Sequence, residues 1–100
     1  MDYRISHDGG RVAISVSGRL TFADASSFSK ILAEIAKPGV AVCEFDMAAL
    51  ESIDSTGMSL LVHAYDQAKA GGFKVALRNA GGAVKSSLER AGFPALFEMA

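Results

Sequence analysis

Hydrophobic residues switch between strand spacing and helix spacing along this chain, and that switching limits the available folds more than any other feature. The first two runs alternate hydrophobic with polar residues, as half-buried strands do; their hydrophobic members are Tyr3, Ile5, Val12, Ile14 and Val16. Asp8-Gly9-Gly10 lies between them and predicts a hairpin turn, and Gly18 is expected to close the second strand. The spacing then becomes helical. Thr21-Phe22-Ala23-Asp24 has the form of a capping box, and a helix is predicted over residues 23–36.

The rest of the chain continues the alternation. A nearly continuous apolar run over residues 40–45 predicts a strand buried on both faces, followed by a connecting loop over residues 48–54. A second helix is predicted from near Ser55 to about residue 70, with a core face made of Met58, Leu61, Val62, Tyr65 and Ala68. The last predicted elements are a strand over Lys74–Arg78, a third helix over residues 83–91 and a short strand at Leu96 and Phe97.

This order of elements defines the expected fold class. Strand-helix-strand units require parallel pairing and a layer of helices over the sheet. We therefore predict an α/β protein: one domain over residues 1–100, with a mixed central β-sheet of about five strands covered by about three helices.

Composition narrows the functions that such a domain can have. Half of the 100 residues are hydrophobic, which predicts a packed core, and the net charge of -1 comes without a basic stripe, so we expect no nucleic-acid partner. The apolar runs are too short to cross a bilayer, so membrane insertion is not expected. Cys43 is the only cysteine, so no internal disulfide can form, and we expect a cytoplasmic protein, either a monomer or a weak dimer. Cys43 itself is interpreted as a small buried hydrophobe.

Catalytic and metal-binding patterns are missing from the sequence. There is no Gly-x-Ser-x-Gly elbow and no Gly-rich phosphate loop ending in Lys. His63 lies about 12 Å beyond Ser55 along the predicted helix, too far to take the serine proton. His7 and His63 are interpreted as solvated surface residues, and their spacing to Cys43 does not suit a metal. We therefore expect no enzyme activity, no catalytic residue, no metal and no cofactor.

The segment Ile53-Asp54-Ser55-Thr56-Gly57-Met58 stands apart because it joins a buried strand to an amphipathic helix. One interpretation is purely structural: Asp and Ser are good N-cap residues, and the segment only starts a helix. The other is functional. Ser55 would lie where a helix presents unpaired N–H groups and partial positive charge, so a phosphate could be added without melting the domain.

Two neighbouring features favour a docking face beside that serine. Gly57 has no side chain and is expected to leave room for a partner protein to approach. Leu60 is predicted to lie opposite the core stripe of the second helix, with Ser59, His63 and Ala64 on the exposed flank, where it would contact the partner.

Asp54-Ser55-Thr56-Gly57-Met58, followed by Ser59-Leu60-Leu61, resembles the Asp-Ser-Ser/Thr-Gly-hydrophobic signature of STAS-domain anti-sigma-factor antagonists. The element order and the Gly18-Arg19-Leu20 turn before the first helix are also similar to that family, and the similarity spans nearly the whole chain.

The resemblance implies a partner-switching cycle. In that family the unphosphorylated antagonist binds a serine kinase that is also an anti-sigma factor, and this binding releases the sigma factor. The kinase then phosphorylates the first serine of the motif, which corresponds to Ser55, and a PP2C-type phosphatase reverses the reaction. By this correspondence Thr56 is not the acceptor, and Met58 matches the hydrophobic position of the motif.

The chain departs from the family at two positions. Many members carry an acidic residue where this chain has Thr21, and often another where it has Arg19; Asp24 could serve instead, and Thr21 and Asp24 are predicted partner contacts.

Two other functions remain open at this point. One is a STAS accessory subunit of an ABC-type lipid transporter without a phospho-switch, and the other is a domain that binds a small ligand or nucleotide.

Overall fold

Five strands form one mixed sheet in the computed structural model of the chain, which describes residues 1–99. The strands are β1 (Asp2–Asp8), β2 (Arg11–Leu20), β3 (Val42–Ile53), β4 (Lys74–Arg78) and β5 (Glu98–Met99). The α-helices are α1 (Ala25–Ile35), α2 (Ser55–Gly71) and α3 (Gly82–Arg90), and two 3₁₀ turns cover Phe22–Asp24 and Phe93–Ala95. These elements confirm the predicted α/β class, with β4 at the predicted residues.

The strands lie in the sheet in the order in which they occur in the chain. β1 pairs antiparallel with β2 through the predicted hairpin, and the pairs β2–β3, β3–β4 and β4–β5 are all parallel. Each parallel pair needs a crossover, and α1, α2 and α3 supply the three crossovers. The carboxyl end of β3 therefore leads directly into α2, the junction at which the serine motif lies.

The helices cover one face of the sheet. Alternate residues of the central strands share one core with all three helices; from β2 and β3 these include Val12, Ile14, Val16, Cys43, Phe45 and Met47. The rings of Phe28 and Phe45 stack at 5.8 Å between centroids, which fixes α1 against β3. Ala76 is buried but lies outside this core, because it points to the opposite face.

The prediction that β3 is buried on both faces was wrong. Its second face carries Glu44 and Asp46, which are only partly covered. Glu44 accepts hydrogen bonds from Arg11 of β2 and Arg78 of β4, and Arg78 also contacts Glu98 of β5 at 3.2 Å. The open face is thus held by a row of ion pairs across four strands, a pattern that a short apolar run does not reveal.

Three predicted boundaries were also wrong. β2 does not end at Gly18, which has a left-handed φ of 82° and lies at an irregularity in the β2–β3 register; the strand bends there and continues. β3 replaces most of the predicted loop and runs to Ile53, because its second half keeps pairing with β2 as far as Leu20 opposite Ile53. The last strand begins one residue after the buried Phe97.

Cys43 behaves as the sequence predicts. Its side chain is fully buried, and that burial, with a smaller effect from the charge of Glu44, raises the pKa of the thiol to about 12. A thiol of this kind is a packing residue rather than a nucleophile.

Candidate functional site

Ser55 is the first residue of α2 and its side chain is exposed. Asp54, in extended conformation, caps the helix: its Oδ1 accepts a hydrogen bond from the Gly57 N–H at 2.7 Å. The first-turn N–H groups have no acceptors within the helix, so partial positive charge gathers around the Ser55 hydroxyl. The structure thus places this serine where the sequence predicted, and Thr56 is exposed beside it.

The beginning of α2 is fastened to the end of β2. The Asp54 N–H donates a hydrogen bond to the Leu20 carbonyl oxygen at 3.2 Å, and Leu20 pairs with Ile53 in the sheet. Gly57 is buried against the same carbonyl, since a Cβ at this position would lie 2.2 Å from the Leu20 oxygen. The missing side chain of Gly57 therefore makes room for β2, and the prediction that it makes room for a partner was wrong.

The predicted exposure of Leu60 was also wrong. This residue is 7% exposed and belongs to the core, as does Ala64, so neither can be a surface contact. The buried stripe of α2 consists of Gly57, Leu60, Leu61, Ala64 and Ala68, while Met58, Val62 and Tyr65 are half-buried. The small residues of α2 face the sheet and allow the helix to approach it closely, so the helix is rotated from its predicted orientation. The prediction had placed the large hydrophobic residues against the sheet. Ser59 and His63 are exposed, as predicted.

The predicted capping box at Thr21 is confirmed, although it caps a 3₁₀ turn. The Thr21 N–H donates to Asp24 Oδ2 at 2.9 Å, and Thr21 Oγ1 accepts from the Ala23 N–H at 3.3 Å. Asp24 is 7% exposed, and its Oδ1 accepts from the Met1 ammonium group at 2.7 Å. Burial alone would raise the pKa of the Asp24 carboxyl, but these hydrogen bonds and the ammonium charge hold it below its usual value. Asp24 is thus occupied within the fold, and its prediction as a partner contact was wrong.

Sequence reasoning missed Phe22. This side chain is 72% exposed at the first position of the 3₁₀ turn that contacts α2. A signal was present: Phe22 lies inside a capping box but outside the core spacing of the first helix, so nothing in the predicted helix would bury it.

Within residues 1–99, no three His, Cys, Asp or Glu side chains are grouped as a metal site would require. No helix in the same residues combines the length and the apolar character needed to cross a bilayer.

These features define the class of protein: an α/β domain with a mixed five-stranded sheet, helices on one face and an exposed serine opening the second helix. The chain belongs to the STAS-domain family, whose model matches residues 3–100. None of the curated protein sequences matches the chain.

Solved structures with a similar fold include several anti-sigma-factor antagonists. The phosphorylated Bacillus cell fate determinant SpoIIAA is 15% identical with a TM-score of 0.75, over 99% of this chain and 91% of that chain. An anti-sigma factor antagonist from Mycobacterium paratuberculosis is 22% identical with a TM-score of 0.80, over 98% of this chain and 83% of that one. A sulfate transporter family protein from Wolinella succinogenes is 24% identical with a TM-score of 0.75, over 87% of this chain and 71% of that one.

Proposed function

We propose that this chain is a phosphorylation-switched anti-sigma-factor antagonist. In its unphosphorylated form it binds a serine-kinase anti-sigma factor and releases the kinase's target. The kinase phosphorylates Ser55, and a PP2C-type phosphatase removes the phosphate. The observation that carries this proposal is the exposure of Ser55 at the positive end of a capped helix.

The position of Ser55 suits a phosphate that must not damage the fold. A phosphoserine carries about -1.5 to -2 charges at neutral pH, and a helix N-terminus stabilises negative charge. Asp54 already accepts the Gly57 N–H, while the N–H groups of Ser55 and Thr56 still need acceptors and can face the added oxygens.

The same charge would disrupt docking. At the centre of a protein interface, a phosphate without a partner must be stripped of water or repelled by acidic neighbours. Loss of a buried contact together with an unpaired charge costs about 2 to 5 kcal/mol, or roughly 30-fold to several-thousand-fold in affinity. The switch then needs no large conformational change. The remaining candidates for the docking face are Asp54, Thr56, Met58 and Ser59 beside Ser55, His63 two turns further along α2, and Thr21 just after β2.

The proposal is supported by solved structures of the same fold, several of which are anti-sigma-factor antagonists. SpoIIAA, which has this fold at 15% identity, is known in a phosphorylated form. The role proposed here is that of a cytoplasmic binding protein, with no chemistry of its own.

Calorimetry with Ser55 variants tests the switch. Ser55→Ala should bind the serine kinase as tightly as the wild-type chain, whereas Ser55→Asp should bind at least about 30-fold more weakly. Ser86→Asp is the matched control, because Ser86 is exposed on α3 and receives the same charge. Equal affinities for the two Ser55 variants would reject the switch.

Mass spectrometry after incubation with the kinase and ATP tests the acceptor. Phosphate should appear on Ser55 and be absent from Ser55→Ala, while Thr56→Ala should still be modified. Phosphate on Thr56 alone would overturn the assignment.

A second candidate is an accessory subunit of an ABC-type lipid transporter, without a phospho-switch. The resemblance to the Wolinella succinogenes sulfate transporter family protein favours it, because a domain of this fold occurs there in a transporter family. Neighbouring permease and ATPase genes would support this role, whereas a neighbouring kinase or PP2C phosphatase gene would support the switch.

A further inference from the structure

Ser55 cannot be presented as an extended peptide while the domain is folded. The Asp54 carboxylate holds the Gly57 N–H, and the Asp54 N–H is bonded to the Leu20 carbonyl. Drawing this segment into a cleft would break both bonds and pull the buried Leu60 and Leu61 away from the core. An enzyme that modifies Ser55 must therefore recognise the folded surface around it.

Phe22 is the prominent apolar feature of that surface. Among residues 1–99, the exposed large hydrophobic side chains are Phe22 at 72% and Leu96 at 42%. The 3₁₀ turn that carries Phe22 contacts α2, and it starts two residues after Leu20, the residue bonded to Asp54. Leu96 lies elsewhere, near β5, where it lines a depression with Tyr65 and Phe73.

The turn that carries Phe22 is already ordered. Thr21 and Asp24 close the capping box around it, and the Asp24 N–H donates to the Thr21 carbonyl at 3.1 Å. The buried Asp24 carboxylate is also bonded to the Met1 ammonium group. An aromatic side chain on a fixed backbone loses little conformational freedom on binding, and buried aromatic anchors dominate the energy of protein interfaces.

The surroundings of Phe22 suit a partner with one apolar pocket and a polar rim. On the elements that meet at this turn, the start of α1 and the start of α2, Ser26, Ser55 and Thr56 are small, polar and exposed. The carboxylate of Asp24, two residues after Phe22, is paired with the Met1 ammonium group inside the fold and is not free to attract a partner. Central apolar contacts surrounded by small polar ones are the usual anatomy of a specific protein interface.

We propose that Phe22 is the anchor by which the serine kinase docks on the folded domain, inserting into an apolar pocket beside the kinase active site. This inference rests on the proposed function, and it adds the residue that provides affinity while Ser55 provides the acceptor. Docking by Phe22 fixes the distance and orientation at which the Ser55 hydroxyl reaches the γ-phosphate.

The test measures binding and phosphorylation of Phe22→Ala, with Phe22→Leu and Leu96→Ala as matched controls. The probe is the serine kinase of the anti-sigma-factor class from the same genome that binds the wild-type chain. Phe22→Ala should bind about 30-fold more weakly, Phe22→Leu should keep most of the affinity, and Leu96→Ala should stay within about twofold. Phosphorylation of Phe22→Ala should show a raised KM and an unchanged kcat, because a ground-state docking contact is lost.

The two proposals fail in different ways. Wild-type affinity of Phe22→Ala for a kinase that phosphorylates Ser55 would overturn the anchor and leave the switch standing. A lower kcat at unchanged KM would also overturn it. If no serine kinase of that class binds or phosphorylates the wild-type chain, both proposals fall. Because Phe22 is exposed, circular dichroism should show the same melting curve for all three variants and the wild-type chain.

Discussion

Gly57 lies against the carbonyl oxygen of Leu20 so closely that a Cβ at position 57 would be 2.2 Å from it. This contact joins the end of β2 to the first turn of α2. It explains why glycine occupies a position where it costs about 1 kcal/mol in helix propensity against alanine.

Gly57→Ala should therefore destabilise the domain despite its better helix propensity. The added methyl group would meet backbone atoms of β2, which cannot move aside as a flexible side chain can, and such overpacking costs about 1 to 3 kcal/mol. Urea unfolding should show the loss of free energy. Ser59→Ala, at an exposed position of the same helix, should stay within about 0.5 kcal/mol. A Gly57→Ala variant as stable as the wild-type chain would contradict the close packing.

Asp54→Ala should remove the N-cap of α2. Its Oδ1 accepts the Gly57 N–H at 2.7 Å, and loss of such a cap costs about 1 kcal/mol. Asp54→Asn keeps a side-chain oxygen and should recover most of the stability. Thermal melts of the three proteins compare them directly, and equal destabilisation by Ala and Asn would assign the effect to charge rather than to the cap.

Much of the fold was predictable because its signals are local. The hairpin at residues 8–10, the strand β4 and the start of α2 each depend on a few adjacent residues whose turn, strand or cap chemistry is specific. The exposed position of Ser55 followed from the same kind of signal, since Asp54 is an N-cap in both sequence and structure.

The errors came from contacts between distant segments. The burial of Gly57 depends on Leu20, the second half of β3 depends on pairing with β2, and the position of Asp24 depends on Met1. Hydrophobic spacing alone also placed Leu60 on the wrong side of α2, because it does not show that small residues let the helix approach the sheet.

Glu44 should make the free energy of unfolding of the domain depend on pH in the acidic range. Hydrogen bonds from Arg78 and Arg11, and their charges, hold the pKa of the Glu44 carboxyl below its usual value. A lowered folded-state pKa contributes stability above the unfolded value, near 4.5, and this contribution is lost as the pH falls through the folded pKa. Urea unfolding from pH 7 to pH 3 should therefore show a smaller acid-dependent loss in Glu44→Gln than in the wild-type chain. Glu51→Gln, at an exposed position, should keep the wild-type profile, and identical profiles for all three would exclude a role for Glu44.

Cys43 should be unreactive until the domain opens. A pKa of about 12 leaves only about one thiol in ten thousand as thiolate at pH 8, and the sulfur is also fully buried. Alkylation by iodoacetamide at pH 8 should be at least about 100-fold slower in the native chain than in urea. Fast native labelling would show that β3 opens readily.

Ser55→Asp should leave the fold intact, which separates local blocking of the docking face from unfolding. Negative charge at the first residue of a helix is stabilising by about 0.3 to 1 kcal/mol, and the nearby carboxylate of Asp54 opposes part of that gain. The free energy of unfolding should therefore change by less than about 0.5 kcal/mol, measured by urea unfolding beside Ser55→Ala. Urea unfolding of the enzymatically phosphorylated chain should give a free energy of unfolding within the same range. A loss of several kcal/mol in either protein would mean that phosphorylation acts by melting the start of α2, and that kinase binding is lost with the structure rather than at the surface.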